Sequence, residues 1–181
     1  MKKSYKLSKK IKKNSSLDSD NNLILVYKEN KKLFDQLNKI KKEEKLESKK
    51  FVQVIKENIL IPISIFKNSS PLESLVKYLK ENIGLSLHEI ASLLKRDERT
   101  IWTTYNNALN KNISLDASSK VVIPVNIFED RKLSVFENLI SYLINEEHFE
   151  MNELSRLLNR DYKTVWTCYN RAKVKENEKL T

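Results

Sequence analysis

The sequence is poor in the residues that interrupt helices. Its 181 residues include one glycine and three prolines. Both residue types destabilise helix interiors, so their scarcity favours helices joined by short turns over a strand-rich fold. A chain with a single glycine also cannot form the glycine-rich loop that wraps a phosphate group in many nucleotide-binding enzymes.

Cysteine and long apolar runs are equally scarce. Cys168 is the one cysteine and has no partner for an internal disulfide, so nothing points to an oxidising compartment. The lysine-rich residues 1–13 are not followed by an apolar stretch of signal-peptide length, and no 18 consecutive residues are apolar. We therefore expect an intracellular protein that does not enter a membrane.

The side chains that usually carry catalysis or hold metals do not form recognisable sets. His88 and His148 have no second histidine or cysteine at ligand spacing. Glu146 and Glu147 are adjacent, so in a helix their carboxylates point to different sides. Cys168 is interpreted as a small core residue. We expect no enzyme, no cofactor and no metal site.

Positive charge is concentrated at the start of the chain. The net charge is +10, which favours a polyanionic partner. Residues 1–58 hold 17 lysines against 8 acidic residues, a net +9, which leaves about +1 for the remainder. Residues 1–22 are predicted to be a disordered basic arm. Such an arm attracts phosphates without sequence preference, or it only keeps the protein in solution, and both interpretations stay open.

Residues 23–58 are predicted to form a charged helix that leads to an extended segment. Leu33, Leu37 and Ile40 share one stripe of this helix. The stripe within residues 23–50 is shorter than a typical coiled coil. Two interpretations therefore stay open: the stripe pairs two chains in a homodimer, or it packs on the first repeat of the same chain. From Phe51 to Phe66 the apolar residues partly alternate, which predicts short strands.

Residues 61–111 and 123–175 are an internal repeat. The segment IPISIF is matched by IPVNIF, and RDERTIWTTY is matched by RDYKTVWTCY. The offset is 62 at the Ile-Pro segment and 64 from Tyr78 onward, so the second copy has two extra residues before its first helix. The sequence thus predicts two tandem modules over 59–111 and 121–175, a linker over 112–120 and a tail over 176–181.

Each repeat is predicted to be an extended piece followed by three helices, and the whole chain to be mainly α. Ser70 and Pro71 mark the start of the first helix, with Glu73 three residues after the cap. Gly84 is typical of its end. Ser86 and Glu89 have the spacing of a capping box, which predicts that a second helix begins at Leu87. Asp97 is a favourable N-cap residue and predicts a third helix over 98–111.

The spacing of apolar residues across the second and third helices is that of a helix-turn-helix. Ala91 is small where the two helices cross, and Ile101 fills the angle between them. Ser155 is a small residue at the matching position of the second copy. Residues 85–111 and 149–175 resemble the helix-turn-helix of RNA polymerase sigma factor region 4 and related transcriptional regulators.

The resemblance implies that the last helix of each module reads the major groove of double-stranded DNA. It also implies a role in transcription regulation, with RNA polymerase or another transcription protein as a further partner, and a cytoplasmic, nucleoid-associated location. The expected base-reading residues are Arg99, Thr103, Asn106 and Asn107, matched by Lys163, Thr167, Asn170 and Arg171. The expected phosphate contacts are Arg96, Thr100 and Lys111, matched by Arg160, Thr164 and Lys175.

Other interpretations remain open for these residues. The polar face of each third helix can be ordinary solvated surface, although its recurrence in both copies favours function. Trp102 and Trp166 are interpreted as residues that pack in the core or at its flank, in preference to residues that stack on bases. The near-zero net charge of the repeats is compatible with a second function, a protein-interaction adaptor that binds a partner through the same faces. RNA binding is less favoured because no aromatic surface for stacking bases is evident.

Overall fold

The computed structural model describes Lys32, Asp35, Gln36, Lys39 and residues 59–178. The four isolated positions are helical and exposed. The basic arm predicted over 1–22 and the rest of the charged segment over 23–58, with its possible dimer contact, lie outside the described residues.

The described part is mainly helical, as predicted. Each repeat has a short strand, a 3-10 turn and three helices. In the first repeat these are β1 (Leu60–Pro62), the turn Ile63–Phe66, α1 (Pro71–Tyr78) with a π-helical extension (Leu79–Ile83), α2 (Leu87–Leu93) and α3 (Glu98–Asn110). In the second they are β2 (Val122–Pro124), the turn Val125–Glu129, α4 (Val135–Asn145), α5 (Met151–Leu157) and α6 (Tyr162–Asn177).

Local capping signals set the helix bounds in the first repeat. The backbone N–H of Glu89 donates to Ser86 Oγ at 3.2 Å, and the backbone N–H of Ser86 donates to Glu89 Oε2 at 2.8 Å, which completes the predicted capping box. Asp97 caps α3 through Oδ1, which accepts from two backbone N–H groups. Gly84 ends the first helical stretch in the left-handed region with φ of 91°, a conformation that a side chain disfavours.

The start of α1 differs in detail from the prediction. The helix begins at Pro71, yet the side chain of Ser70 makes no capping hydrogen bond. The matching Ser134 and Glu137 do form a complete capping box at the start of α4. A serine followed three residues later by a glutamate therefore precedes both helices, but only the second copy forms the hydrogen bonds of the capping box.

The two repeats meet through a two-stranded antiparallel ladder. Ile61 stands opposite Ile123, and these residues occupy the same position in the two copies. The flanking bonds are reciprocal, because Ile63 N donates to Val121 O and Val125 N donates to Ile59 O, both at 3.1 Å.

A second matched pair lies beside the ladder. The rings of Phe66 and Phe128, again the same position in each copy, have centroids 5.7 Å apart. Contacts between equivalent residues lie on a rotation axis, so the repeats are related locally by a twofold axis.

One hydrophobic core runs through both repeats. The crossing of the second and third helices is buried as predicted, with Ile90, Ala91 and Ile101 in the first repeat. Val165 is fully buried at the position that matches Ile101. Cys168 is only half-buried at the edge of this core, so it is less enclosed than the sequence predicts.

Candidate nucleic-acid interface

The corner between the second and third helices has the same geometry in both repeats. Lys95 and Asn159 occupy it with positive φ values of 51° and 48°. In each copy the next residue donates its backbone N–H back to the second helix at 2.9 Å, from Arg96 to Ala91 O and from Arg160 to Ser155 O. These bonds close the turn, so α3 and α6 leave their preceding helices in the same local geometry.

An ion pair attaches the end of each third helix to the first helix of its repeat. Lys111 Nζ lies 2.7 Å from Glu73 Oε1, and Lys175 Nζ lies 2.8 Å from Glu137 Oε2. The two glutamates are only 8% and 4% exposed. A buried carboxylate needs such a partner, so these two lysines, expected to contact phosphates, also have a structural role within each repeat.

A tyrosine in the middle of each third helix makes a second matched contact with the first helix of its repeat. The hydroxyl of Tyr105 lies 3.2 Å from Glu81 Oε1, and that of Tyr169 donates to Asn145 Oδ1 at 2.8 Å. Together with the ion pairs, these contacts fix the rotation of α3 and α6 about their own axes. The residues on their outer faces are therefore set in direction by packing on the inner faces.

Arg96 and Arg160, which are expected to contact DNA phosphates, lie towards the opposite repeat. Arg160 Nη2 donates to the backbone oxygens of Phe66 and Ser69 in the first repeat, and its guanidinium lies 5.8 Å from the ring centroid of Phe136. Arg96 is half-buried, and burial together with the neighbouring charge of Arg131 lowers its pKa from the usual value. Arg160 therefore joins the repeats instead of extending from the outer surface.

The remaining predicted residues form the outer face of each third helix. Seven are exposed and three are partly exposed. The exposed ones are Arg99, Thr100, Thr103 and Asn107 on α3 and Lys163, Thr164 and Arg171 on α6, and the partly exposed ones are Asn106, Thr167 and Asn170. The structure thus brings the predicted base-reading residues together on one face of each helix and separates them from Arg160.

Trp102 and Trp166 lie on these same faces, and the expectation that they pack in the core is wrong. Their exposed fractions are 58% and 51%, the values of surface side chains. Each follows a fully buried residue, Ile101 or Val165, and one helical step turns the next side chain by about 100° away from the core. The recurrence of tryptophan at the matching position of both copies is the sequence signal for these exposed side chains.

A shallow groove runs beside Trp166 along the outer face of α6. Its volume is about 480 Å³. The side chains that line it are Trp166, Thr167, Asn170, Arg171, Val174, Lys175 and Glu178. The face of the second repeat therefore combines an apolar wall with amide and cationic donors.

The outer faces of α3 and α6 carry groups that donate and accept hydrogen bonds. Arginine, lysine, asparagine and indole N–H groups are hydrogen-bond donors, and the asparagine amide also accepts. Within residues 59–178 and the four isolated positions, no three His, Cys, Asp or Glu side chains gather as a metal site requires. In the same part of the chain no helix has the length and apolar character needed to cross a membrane.

The chain matches no protein-family model, no curated protein and no solved structure.

Proposed function

We propose that the chain binds double-stranded DNA in a sequence-dependent way and regulates transcription. Each repeat acts as a helix-turn-helix module that lays its third helix, α3 or α6, in the major groove. The observation that carries this proposal is that both helices expose the same polar and aromatic face although packing does not require it. Identical at matching positions are Thr100 and Thr164, Trp102 and Trp166, Thr103 and Thr167, and Asn106 and Asn170.

The size and donors of these helices fit a major groove. An α-helix with its side chains is about 10–12 Å across, and the groove of B-form DNA is about 12 Å wide. Asparagine can bond adenine bidentately, arginine can bond guanine in the same way, and apolar groups contact the methyl group of thymine. The first repeat offers one side chain for each of these contacts: Asn106 for adenine, Arg99 for guanine and Trp102 for the thymine methyl group.

The basic arm over residues 1–22 supplies general affinity in this proposal. Its lysines attract phosphates without reading bases, whereas the repeats carry little net charge. The division assigns sequence discrimination to α3 and α6 and salt-sensitive attraction to the arm.

A protein-interaction adaptor is the second candidate function. It is favoured by the exposed indoles of Trp102 and Trp166 and by the groove beside Trp166, because tryptophan and arginine are enriched among the residues that dominate protein interfaces. In this alternative the same faces hold a partner such as RNA polymerase or another protein of the transcription machinery.

Selection from randomised duplex DNA by the full chain tests the proposal. The variant is Arg99→Ala with Lys163→Ala, which removes one cation from each outer face. The matched control is Lys120→Ala with Lys132→Ala, which removes two exposed cations outside the third helices. We expect an enriched motif with the wild type and the control, and its loss with the variant.

Two other results decide against DNA reading by the repeats. Retention of DNA without an enriched motif, abolished only by deleting residues 1–22, means that the arm alone touches DNA. Failure to retain DNA at all, together with direct binding of purified RNA polymerase that depends on Trp102 and Trp166, supports the adaptor.

A further inference from the structure

The axis that relates the two repeats extends beyond the β-ladder. Lys95 at the corner before α3 forms an ion pair with Glu129, with Nζ 3.0 Å from Oε2. The matching Asn159 at the corner before α6 donates from Nδ2 to Asn68 Oδ1 at 2.6 Å. Each corner therefore contacts the segment at or just after the 3-10 turn of the opposite repeat, and the contacts are reciprocal.

Reciprocal contacts of this kind distinguish a rotation from a translation. In a translated tandem, one surface of the first repeat meets a different surface of the second. Here Ile61 meets Ile123, Phe66 meets Phe128 and each corner meets the opposite loop segment, so the same surface is used by both copies. The chain is built as a twofold dimer of modules within a single polypeptide.

We propose that the target is a duplex with two half-sites related by a dyad, and that these half-sites are unequal. The inference rests on the proposed function and adds the class of DNA site. A protein with twofold symmetry presents its two reading helices in opposite senses, and DNA matches this when its half-sites have the same symmetry. A site with two half-sites in the same direction does not match.

The unequal half-sites follow from two differences among the expected base-reading residues of the outer faces. Arg99 of α3 is replaced by Lys163 on α6, and Asn107 is replaced by Arg171. Arginine recognises guanine through a rigid two-pronged contact, lysine acts as a point charge and asparagine recognises adenine. The chain therefore binds its site in one orientation, with the α3 half and the α6 half distinguishable by sequence.

Rearranged duplexes test the symmetry of the site. The half-sites enriched by the full chain are synthesised in dyad-related and in same-direction arrangements at several spacings, and Kd is measured for each at one salt concentration. We expect the best same-direction duplex to bind at least about tenfold more weakly than the best dyad-related duplex, because only one module can then read its bases.

A variant that equalises the two faces tests the second part. Arg99→Lys with Asn107→Arg gives the first repeat the residues of the second at these positions. We expect selection with this variant to enrich a site with two identical halves, both resembling the α6 half of the wild-type site. The converse variant, Lys163→Arg with Arg171→Asn, should enrich identical halves of the α3 type.

The outcomes separate this inference from the function on which it rests. An enriched site with half-sites in the same direction, or with one half only, overturns the inference while sequence-dependent binding stands. Unchanged unequal halves with both variants overturn the assignment of the asymmetry to these four residues. If no site is enriched at all, the proposed function and the inference fail together.

Discussion

Lys175 Nζ lies 2.8 Å from Glu137 Oε2, and 64 residues earlier Lys111 Nζ lies 2.7 Å from Glu73 Oε1. The repeat has thus kept a contact between the first and third helices as well as a pattern of apolar residues. Each pair ties the end of an outward-facing helix to the core of its own repeat.

Removing the carboxylate of Glu137 should lower stability. We expect Glu137→Gln to reduce the free energy of unfolding by about 1–3 kcal/mol, because it breaks a charged hydrogen bond at a group that is 4% exposed. Urea unfolding measures the change. Glu146→Gln, at an exposed position beyond α4, is the matched control and should change stability by less than about 0.5 kcal/mol. Equal effects of the two variants would contradict the structural role of the pair.

The same carboxylate should make stability depend on pH. Burial acts to raise the pKa of Glu137, but the hydrogen bonds from Lys175 and Ser134 outweigh it and hold the pKa below the ordinary value of 4.5. A carboxyl with a lowered folded-state pKa stabilises the fold above its unfolded pKa, and this contribution is lost as pH falls through the folded pKa.

Urea unfolding between about pH 6 and pH 3 tests this dependence. We expect the free energy of unfolding to decline below about pH 4.5, and the decline to be shallower in Glu137→Gln than in the wild type. Hydrogen bonds from Ser118 also lower the pKa of Asp116, so part of the decline remains in the variant. A pH profile identical to that of the wild type would exclude Glu137 as a contributor.

The two tryptophans should serve recognition and not stability. Because Trp102 and Trp166 are exposed, Trp102→Ala with Trp166→Ala should change the free energy of unfolding by less than about 0.5 kcal/mol per site. They are also the only tryptophans in the chain, so intrinsic fluorescence reports on both third helices. We expect iodide to quench the emission of the free protein and the selected duplex to protect it. A blue emission that resists iodide would mean that the indoles are buried.

Arg160 should contribute to stability through its contacts between the repeats more than it contributes to DNA affinity. Arg160→Ala removes the bonds to the backbone oxygens of Phe66 and Ser69, and we expect it to cost about 1–3 kcal/mol of stability. Arg156→Ala, at an exposed position on α5, is the control and should cost less than about 0.5 kcal/mol. If Arg160→Ala instead left stability unchanged and weakened binding equally for all duplexes, Arg160 would be a phosphate contact.

Local signals carried most of the fold prediction. The start of α2 at Leu87 and of α3 at Glu98 follows from capping by Ser86 and Asp97, which act on backbone groups within three residues. The burial of Ile101 follows from helical spacing in the same way. Such features depend on neighbours in the sequence and can be predicted from it.

Long-range contacts set the features that the sequence analysis missed. Arg160 meets Ser69 across 91 residues, and Lys175 meets Glu137 across 38. No local pattern distinguishes a lysine held by a distant carboxylate from one that is free to meet a phosphate. The rotation between the repeats likewise depends on β1 pairing with β2, and a repeated sequence alone is compatible with either a rotation or a translation.

The ratio of specific to general affinity tests the central claim most directly. Kd is measured at one salt concentration for the selected duplex and for a scrambled duplex, with the full chain, with Arg99→Ala plus Lys163→Ala, and with residues 1–22 deleted. We predict a ratio of at least about 10³ for the full chain, a large loss of this ratio in the double variant, and a nearly unchanged ratio with uniformly weaker binding after the deletion. A ratio near one for the full chain, or a ratio that survives the double variant, would contradict the assignment of DNA reading to α3 and α6.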